Sequence, residues 1–319
     1  MAKNRLFVSY SSMSGFRKCP RYYYWKHVRR LEKIVLKIPF ITGRIMHNGI
    51  QTLFSNPHRA EQIVKDSFKD EAQKARKQFP QMEIRDEEKL AEQAFTTIGM
   101  LRAFRYHYAK FLKATRHIKT EKELQYDLNS KVTVVGKIDN ILENQGANYI
   151  YELKNLKSLD MHRVQGIRTD PQSSLYHTIN NLIETKKANK VDGIIYQIIR
   201  KPSIRQKKSE SKGEFLRRLE DWYQTSDGLK FHLERLKKPF IDGAHVLNSL
   251  KKVTEHMLSC KTKEDYFQDF NYCIHEWGTC QYYGLCHGDE KKEIKLLTIR
   301  PAYKVTENEN EEAEDDGDE

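Results

Sequence analysis

The chain lacks any long apolar run. None of its segments approaches the roughly 18 apolar residues of a membrane-spanning helix, and its start, MAKNRLFVSYSSMSG, lacks the apolar stretch of a signal peptide. We therefore expect a cytoplasmic protein with no membrane partner. Disulfide bonds are rare in such a compartment, so clustered cysteines indicate metal ligands.

Cysteine is scarce, with five residues among 319, yet three of the five fall within positions 273–286. Zinc ribbons and fingers favour two close C-x-x-C pairs, and the chain has none. Four thiolates suit a [4Fe–4S] cluster or a tetrahedral zinc ion, and His275 and His287 keep Zn²⁺ open as the alternative. Cys260 is the odd thiol, expected to be buried or free. The four candidate ligands are Cys19, Cys273, Cys280 and Cys286.

Acidic charge is concentrated at one end of an otherwise basic chain. The net charge is +12, but residues 306–319 hold nine acidic residues and no Lys or Arg, so the rest carries +21. A body this basic indicates a polyanionic partner, usually nucleic acid, with a solvated lysine-rich surface as the alternative. Residues 304–319 are expected to form a disordered acidic tail, which either binds a basic protein partner or serves solubility.

The hydrophobic pattern changes character along the chain. Apolar residues recur at helical spacing through 86–113, whereas 121–154 favours strands and 191–199 is an apolar run typical of a buried strand. The pattern predicts an α/β fold with a small mixed β-sheet flanked by helices, in one domain over 1–303 with a helical insertion at 48–120. Residues 7–30 are predicted to form a short strand or turn and then a helix. Further helices are predicted at 44–54, 57–79, 86–113, 171–187 and 214–257. Strands are predicted at 123–128, 132–142, 149–154 and 191–199.

A hairpin in this pattern brings two carboxylates together. If its turn is centred between Gln145 and Gly146, Asp139 lies opposite Glu152, and Lys154 lies on the same face as Glu152. Carboxylates bind Mg²⁺ or Mn²⁺, which activates water, and a lysine stabilises negative charge in the transition state. This set suits phosphodiester hydrolysis. The alternative is an ordinary cross-strand salt bridge.

Three further residues fit the same chemistry. His47 stands at a predicted helix start, and an imidazole ligand would favour Mn²⁺. Gln172 and Tyr176 are four residues apart, so they share one helical face. Alone, His47 would be a structural histidine and the Gln–Tyr pair would carry no signal.

Two basic segments are candidates for nucleic-acid contact. In the first, residues 17–30, six Arg or Lys residues are interleaved with Tyr22, Tyr23, Tyr24 and Trp25. Such a segment can follow phosphates and stack bases, or bury its aromatic rings, and we expect part of each. The second segment is a predicted loop at 200–213 that carries Lys201, Arg205, Lys207 and Lys208.

Taken in order, these motifs resemble the PD-(D/E)XK nuclease superfamily. The resemblance is to its RecB-like branch with an iron–sulfur cluster, which includes phage exonucleases and CRISPR-adaptation nucleases. It extends from Ser11 to Cys286. The motifs are Cys19-Pro20, His47, Gly136-x-x-Asp139, Glu152-x-Lys154, Gln172-x-x-x-Tyr176 and the C-terminal cysteine trio.

The resemblance implies a role for each motif. Mg²⁺ or Mn²⁺ would bind Asp139, Glu152, His47 and the Leu153 carbonyl, and Lys154 would activate the nucleophile. The pair at 172 and 176 would position Lys154 or the DNA strand. The four cysteines would hold a [4Fe–4S] cluster that staples the N-terminal segment to a cluster-binding segment at 260–290. One departure is Ile138, where the family often has proline. Glu123 matches an acidic position of the branch, with a structural role favoured.

The resulting expectation is a metal-dependent DNA exonuclease that acts on single-stranded DNA or DNA ends in recombination, replication or repair. The resemblance implies a bacterial cytosol or a phage-infected host as its location. One alternative is a catalytically silent DNA-binding accessory protein with a nuclease fold. Against it, Asp139, Glu152 and Lys154 are all present. Another alternative is a zinc-stapled nucleic-acid-binding module, which metal content would distinguish. No sequence feature indicates an oligomeric state.

Overall fold

The computed structural model describes residues 5–33, 36–78, 84–225, 228–239, 241–275 and 278–301. The predicted acidic tail lies outside the described residues. No helix in these ranges is both long and apolar enough to cross a membrane. In chain order the elements are β1 (Leu6–Val8), α1 (Tyr10–Lys18), α2 (Pro20–Tyr23), a π-helical turn (Tyr24–Val28), β2 (Leu31–Lys33), α3 (Ile38–Ser55), α4 (Ala60–Gln78), α5 (Ile84–His107), α6 (Ala109–Lys113), β3 (Thr115–Asn129), β4 (Val132–Asn144), β5 (Ala147–Leu156), α7 (Met161–Arg168), α8 (Pro171–Ile183), a 3-10 turn (Lys187–Asn189), β6 (Gly193–Arg200), α9 (Lys212–Gln224), β7 (Phe231–Leu236), α10 (Gly243–Ser259), a 3-10 turn (Phe270–Tyr272), β8 (Ile274–His275), β9 (Gly278–Thr279), α11 (Tyr283–His287), α12 (Glu290–Ile294) and β10 (Leu297–Ile299).

The chain divides into two compact units. Unit 1 comprises residues 1–14 and 35–259, and unit 2 comprises residues 15–34 and 260–319. The sequence-based assignment of one nuclease domain over 1–303 stays a prediction.

Unit 1 is organised around a six-stranded mixed sheet. The strand order is β1-β4-β5-β6-β7, and β3 also pairs with β4. The β1–β4 and β5–β6 pairs are parallel, and the β3–β4, β4–β5 and β6–β7 pairs are antiparallel. β6 is buried along almost its whole length, as expected for a central strand that is covered on both faces. The predicted mixed sheet flanked by helices is confirmed.

The β4–β5 hairpin has the predicted turn and register. Gln145 and Gly146 both have positive φ angles, 58° and 77°, which is the backbone requirement of a tight two-residue hairpin turn. Pairing runs from Asn144 opposite Ala147 to Asn140 opposite Tyr151. The same register places Asp139 and Glu152 next in line, immediately beyond the last paired residues.

Helices α3, α4, α5 and α9 form the main apolar core with one face of the sheet. Fully buried side chains from these helices, such as Met46, Leu101 and Phe104, pack with Tyr151 and Leu153 of β5. The predicted insertion at 48–120 is helical only to residue 113. From Thr115 onward the chain is in β3, so the predicted strand at 123–128 starts too late.

The predicted helix at 214–257 is wrong in its middle. The chain forms α9, then β7, then α10, and β7 pairs with β6 from Phe231 opposite Ile199 to Leu236 opposite Ile194. Phe231 and Leu233 pack against the core cluster, which is the alternation of a strand. The short α7 was not predicted, and α8 ends at Ile183 rather than at residue 187.

A buried ion pair attaches α8 to the sheet. Lys122 of β3 is only 7% exposed. Its ammonium donates to Asn180 Oδ1 at 2.5 Å and to Glu184 Oε1. The Lys122–Glu184 ion pair holds α8, which carries Gln172 and Tyr176, against β3.

Unit 2 is built from short elements and aromatic packing. Its buried cluster contains Trp25, Leu31, Tyr282 and Leu285, with Cys280 and Cys286 packed against it. Strand β2 pairs with β10, and β8 pairs with β9. The Tyr282 hydroxyl donates to the Leu31 carbonyl at 2.5 Å, so this contact joins the two sequence segments of the unit.

Candidate active site

The first component of the site is a histidine–aspartate pair. His47 Nδ1 on α3 lies 3.0 Å from Asp139 Oδ2 on β4. Burial raises the pKa of Asp139, but the His47 hydrogen bond and the charges of His47, Lys154 and Lys137 outweigh it and lower the pKa overall. Asp139 is therefore ionised at neutral pH, with 44% of its side chain exposed to solvent.

The second component is a glutamate–lysine pair on β5. Lys154 Nζ donates to Glu152 Oε1, and Glu152 is 13% exposed. Burial raises the pKa of Glu152 against the opposing effect of Lys154, and the charges of Asp139 and Asp170 raise it further. Burial alone would lower the pKa of Lys154, but the attraction of Glu152 exceeds that effect and raises it. The lysine therefore stays protonated.

Tyr176 packs on a glycine of β4. A Cβ atom at Gly136 would lie 2.6 Å from Tyr176 Cε1, so the ring fits only because position 136 has no side chain. The phenol is hydrogen-bonded to the Gln172 side chain and to the Lys137 backbone. Burial, followed by the charges of Glu152 and Asp139, raises the Tyr176 pKa to about 12, so the hydroxyl keeps its proton.

Asp170 is a third carboxylate at this site that sequence reasoning missed. It caps the start of α8 by accepting from Gln172 N at 3.1 Å and from Ser173 Oγ at 2.7 Å. The Tyr196 hydroxyl donates to its Oδ2 at 3.1 Å, and Tyr196 is the β6 neighbour of Glu152. The Asp-Pro pair before a helical pattern was a usable signal for the cap. The proximity to Glu152 was not visible locally.

Leu153 and Glu123 complete the sequence-predicted set in unit 1. The Leu153 side chain is 2% exposed and lies in the apolar core, which leaves only its backbone for a ligand role. Glu123 is exposed on β3, opposite Lys137 of β4.

The structure thus brings most of the predicted site together within unit 1, on α3, β4, β5 and α8. In the described part of the chain, no group of three or more His, Cys, Asp or Glu side chains is arranged to hold a metal ion. Protein sites for Mg²⁺ often use one or two carboxylates and complete the shell with water and substrate phosphate. His47, Asp139 and Glu152 supply donors of that chemical kind, although these three side chains are not arranged as a three-ligand site in this structure.

The four predicted cysteine ligands line one small cavity of unit 2. Cys19 Sγ accepts from the backbone N–H groups of Tyr22 and Asp269, each at 3.4 Å. Burial raises the pKa of Cys273 and Cys286, and it raises that of Cys280 to about 11. These three thiols are therefore protonated at neutral pH, because burial disfavours the charged thiolate and the neighbouring cysteines add to that effect.

The remaining cysteine and the two histidines of the zinc alternative lie as follows. Cys260 is buried, as expected; its thiol donates to the Asp265 carbonyl at 3.6 Å, and it is not among the residues that line the cavity. His287 Nε2 lies 3.4 Å from Cys273 Sγ, whereas His275 stacks on Tyr272 with ring centroids 5.0 Å apart. Four thiols facing one cavity are donors that suit a [4Fe–4S] cluster or zinc.

The aromatic residues of the N-terminal basic segment are structural. Trp25 is fully buried and Tyr23 is 6% exposed. Tyr22 packs edge-on against Tyr272, with centroids 5.4 Å apart. The expected burial of part of the aromatic rings is therefore confirmed for Tyr23 and Trp25, and these two rings are not exposed for stacking on bases.

Comparison with known protein families identifies the superfamily of the chain. The family model of the PD-(D/E)XK nuclease superfamily matches residues 8–287, which is most of the chain. No curated protein sequence matches it.

Proposed function

The chain belongs to the PD-(D/E)XK nuclease superfamily, and we propose that it is a metal-dependent deoxyribonuclease of the RecB-like branch. Its proposed reaction is exonucleolytic hydrolysis of single-stranded DNA or DNA ends, in recombination, replication or repair. The family makes a nucleic-acid substrate the expectation. The supporting observation is that two side-chain pairs in contact, His47–Asp139 and Glu152–Lys154, lie where β4 and β5 leave their hairpin pairing.

In this proposal Asp139, Glu152, His47 and the Leu153 carbonyl hold Mg²⁺ or Mn²⁺. The ion, when bound, supplies Lewis-acid stabilisation of the phosphate and a lower pKa for attacking water. The imidazole favours Mn²⁺. Asp139 is already ionised and half-exposed, so it can bind a cation without first losing a proton.

The other side chains act on the substrate through charge and hydrogen bonds. Lys154 is protonated beside Glu152 and is the group that orients the attacking water and offsets charge on the phosphate. Tyr176 keeps its phenolic proton and Gln172 bonds to it. The pair therefore offers a fixed hydrogen-bond donor to Lys154 or to a phosphate oxygen. Asp170 and Gly136 hold Tyr176 in that position through α8 and β4.

We also propose that Cys19, Cys273, Cys280 and Cys286 bind a [4Fe–4S] cluster that staples the two sequence segments of unit 2. Its support is that these four thiols face one cavity while Cys260 does not. Zinc bound by Cys273, His287 and further cysteines is the alternative, and the 3.4 Å contact between the two side chains keeps it open. Iron, sulfide and zinc analysis of anaerobically purified protein distinguishes the two.

The decisive experiment uses end-labelled single-stranded and double-stranded DNA with Mn²⁺ or Mg²⁺. Wild-type protein should cut in a metal-dependent way, and Asp139→Ala should lose at least about 10³-fold of that rate. Glu143→Ala, near the far end of the same strand, is the matched control and should retain activity. Equal DNA binding by the wild type and Asp139→Ala, with no cleavage by either, would contradict an enzymatic role and leave a DNA-binding accessory protein.

A further inference from the structure

The basic loop between β6 and α9, residues 201–211, is a built structure. Its one acidic residue, Glu210, accepts two hydrogen bonds from the Arg218 guanidinium, each at 2.7 Å, and one from Lys207 N at 3.0 Å. Arg218 also donates to the Arg205 carbonyl at 2.7 Å, and Gln206 Nε2 donates to the Glu210 carbonyl at 2.8 Å. These hydrogen bonds hold the loop backbone at Arg205, Lys207 and Glu210.

Glu210 is occupied in holding the loop together. Its side chain is 10% exposed, and the Arg218 hydrogen bond lowers its pKa to about 2. At neutral pH it is ionised and engaged by Arg218. The loop therefore directs its one carboxylate inward and projects Arg205, Lys207 and Lys208 into solvent.

The loop starts beside the candidate catalytic strand. Arg200 lies opposite Leu156 at the end of the β5–β6 pairing, and Lys201 N donates to the Leu156 carbonyl at 2.7 Å. Leu156 is two residues after Lys154 on the same strand. A polymer bound across Glu152 and Lys154 would therefore reach the loop after crossing only a few residues of β5.

Positive charge accumulates here without a counterion from the protein. Lys157, at the end of β5, and Lys201 form no ion pair with an acidic side chain among the described residues, and the same is true of Arg205 and Lys208. Burial and then the charge of Lys157 lower the pKa of Lys201. Two ammonium groups near each other, with no carboxylate to neutralise them, favour an external polyanion.

We propose that residues 201–211, together with Lys157, form a preorganised cationic loop that binds the phosphate backbone of the nucleic-acid strand held in the candidate active site. This inference rests on the proposed function and identifies the surface that holds its substrate. Nucleic acid is the ligand favoured by the observations, because several exposed cations on a hydrogen-bonded loop next to the candidate phosphodiester site suit a chain of phosphates.

The experiment measures binding of a labelled single-stranded DNA oligonucleotide, by fluorescence anisotropy, over a series of salt concentrations with chelator present. Arg205→Ala/Lys208→Ala removes two loop cations. The slope of log Kd against log salt should fall by about 1.4, at about 0.7 for each lost phosphate contact, and Kd should rise about tenfold. Lys251→Ala/Lys252→Ala, on the exposed face of α10, removes the same charge and should change neither quantity.

A second variant separates preorganisation from net charge. Glu210→Gln makes the loop more positive, so a purely electrostatic surface would bind DNA more tightly. Because the substitution weakens the contact with Arg218, a preorganised loop should bind DNA about threefold more weakly. Circular dichroism and thermal unfolding of each variant check that the fold is retained.

Cleavage of the same oligonucleotide with Mn²⁺ separates this inference from the proposed function. Cleavage with a raised KM and an unchanged kcat in Arg205→Ala/Lys208→Ala supports both. Cleavage with unchanged KM and salt slope overturns the loop and leaves the nuclease. Absence of cleavage by the wild type, with a salt slope that still falls in the loop variant, supports the loop alone. Absence of DNA binding by the wild type overturns the loop proposal.

Discussion

Units 1 and 2 differ in the amount of secondary structure and apolar core that stabilises them. In unit 1 a six-stranded sheet and the helices on it bury a large set of aliphatic and aromatic side chains. In the described part of unit 2, one small buried cluster contains Trp25, Leu31, Tyr282 and Leu285, and the strands are two or three residues long. Small units with so little apolar core generally need a disulfide or metal for stability.

Their candidate metal-binding sites differ in the same way. In unit 1 Asp139 and Glu152 each have a side-chain partner already in place: His47 contacts Asp139, and Lys154 donates to Glu152. In unit 2 burial and the neighbouring thiols raise the pKa of Cys273, Cys280 and Cys286. A site of the first kind keeps its geometry without metal. The cysteine site of unit 2 must lose protons as it binds metal, so folding of unit 2 and metal binding are coupled.

The largest expected effect is a loss of ordered structure in unit 2 alone. On the proposal that these cysteines bind a [4Fe–4S] cluster, Cys280→Ser should abolish cluster binding and remove the order of unit 2, because it removes one of four ligands and the apolar core is small. The measurements are iron content and hydrogen exchange. Protection should fall in residues 15–33 and 260–275 and stay unchanged in β5 and β6. Cys260→Ser is the control and should keep its iron. Full protection of unit 2 in Cys280→Ser would refute the coupling.

The second effect concerns unit 1 and should appear in rate rather than in stability. Lys154→Met should lower kcat about 10³-fold, or about 4 kcal/mol in the barrier, since it removes the cation expected to face the phosphate. Single-turnover cleavage and thermal unfolding are the measurements. Lys137→Met is the control, since that lysine pairs with Glu121 at 2.8 Å. A comparable loss of kcat in both variants would argue against a specific role for Lys154.

The third effect separates a structural ion pair from a catalytic one within unit 1. Lys122→Ala should lower the free energy of unfolding by about 3 kcal/mol, because it leaves Glu184 and Asn180 partly buried without their partner. Urea unfolding monitored by circular dichroism measures it. The exposed Lys119 of the same strand is the control, and its substitution by Ala should cost under about 0.5 kcal/mol.

The smallest effect is a pH dependence in unit 2. Burial, then the charges of Lys26 and Arg300, lowers the pKa of His27 from 6.5 to about 4. The folded form stays neutral while the unfolded chain binds a proton, so stability should fall as pH drops from 6.5 towards 4. After allowance for partial exposure the loss is about 2 kcal/mol. Urea unfolding at the two ends of this range measures it, and His27→Gln should flatten the dependence.

Local signals predicted the parts of the fold that depend on local chemistry. The hairpin register followed from one turn, because Gln145 and Gly146 accept positive φ angles and the side-chain period of a strand is two. β7 was missed because its six residues lie between two helices and gain their hydrogen bonds from β6, more than 30 residues earlier in the sequence.

The candidate site likewise has one part that local sequence predicted and one part that it did not. Asp139, Glu152 and Lys154 were placed together from hairpin geometry, and their catalytic roles stay predictions. Asp170 was missed because its approach to Tyr196 and Glu152 exists only after α8 packs on β6. The contact of Tyr176 with Gly136 likewise depends on how α8 lies over β4.

By itself the sequence determined the strand alternation, the hairpin, the helix caps and the basic charge, because each depends on neighbours a few residues apart. Only the tertiary structure decided that His47 would reach Asp139, that four distant thiols would face one cavity, and that Glu210 would turn inward to hold a basic loop. These contacts join residues whose separation along the chain carries no periodic signal. They form only when whole elements pack, and packing is set by the summed burial of many side chains.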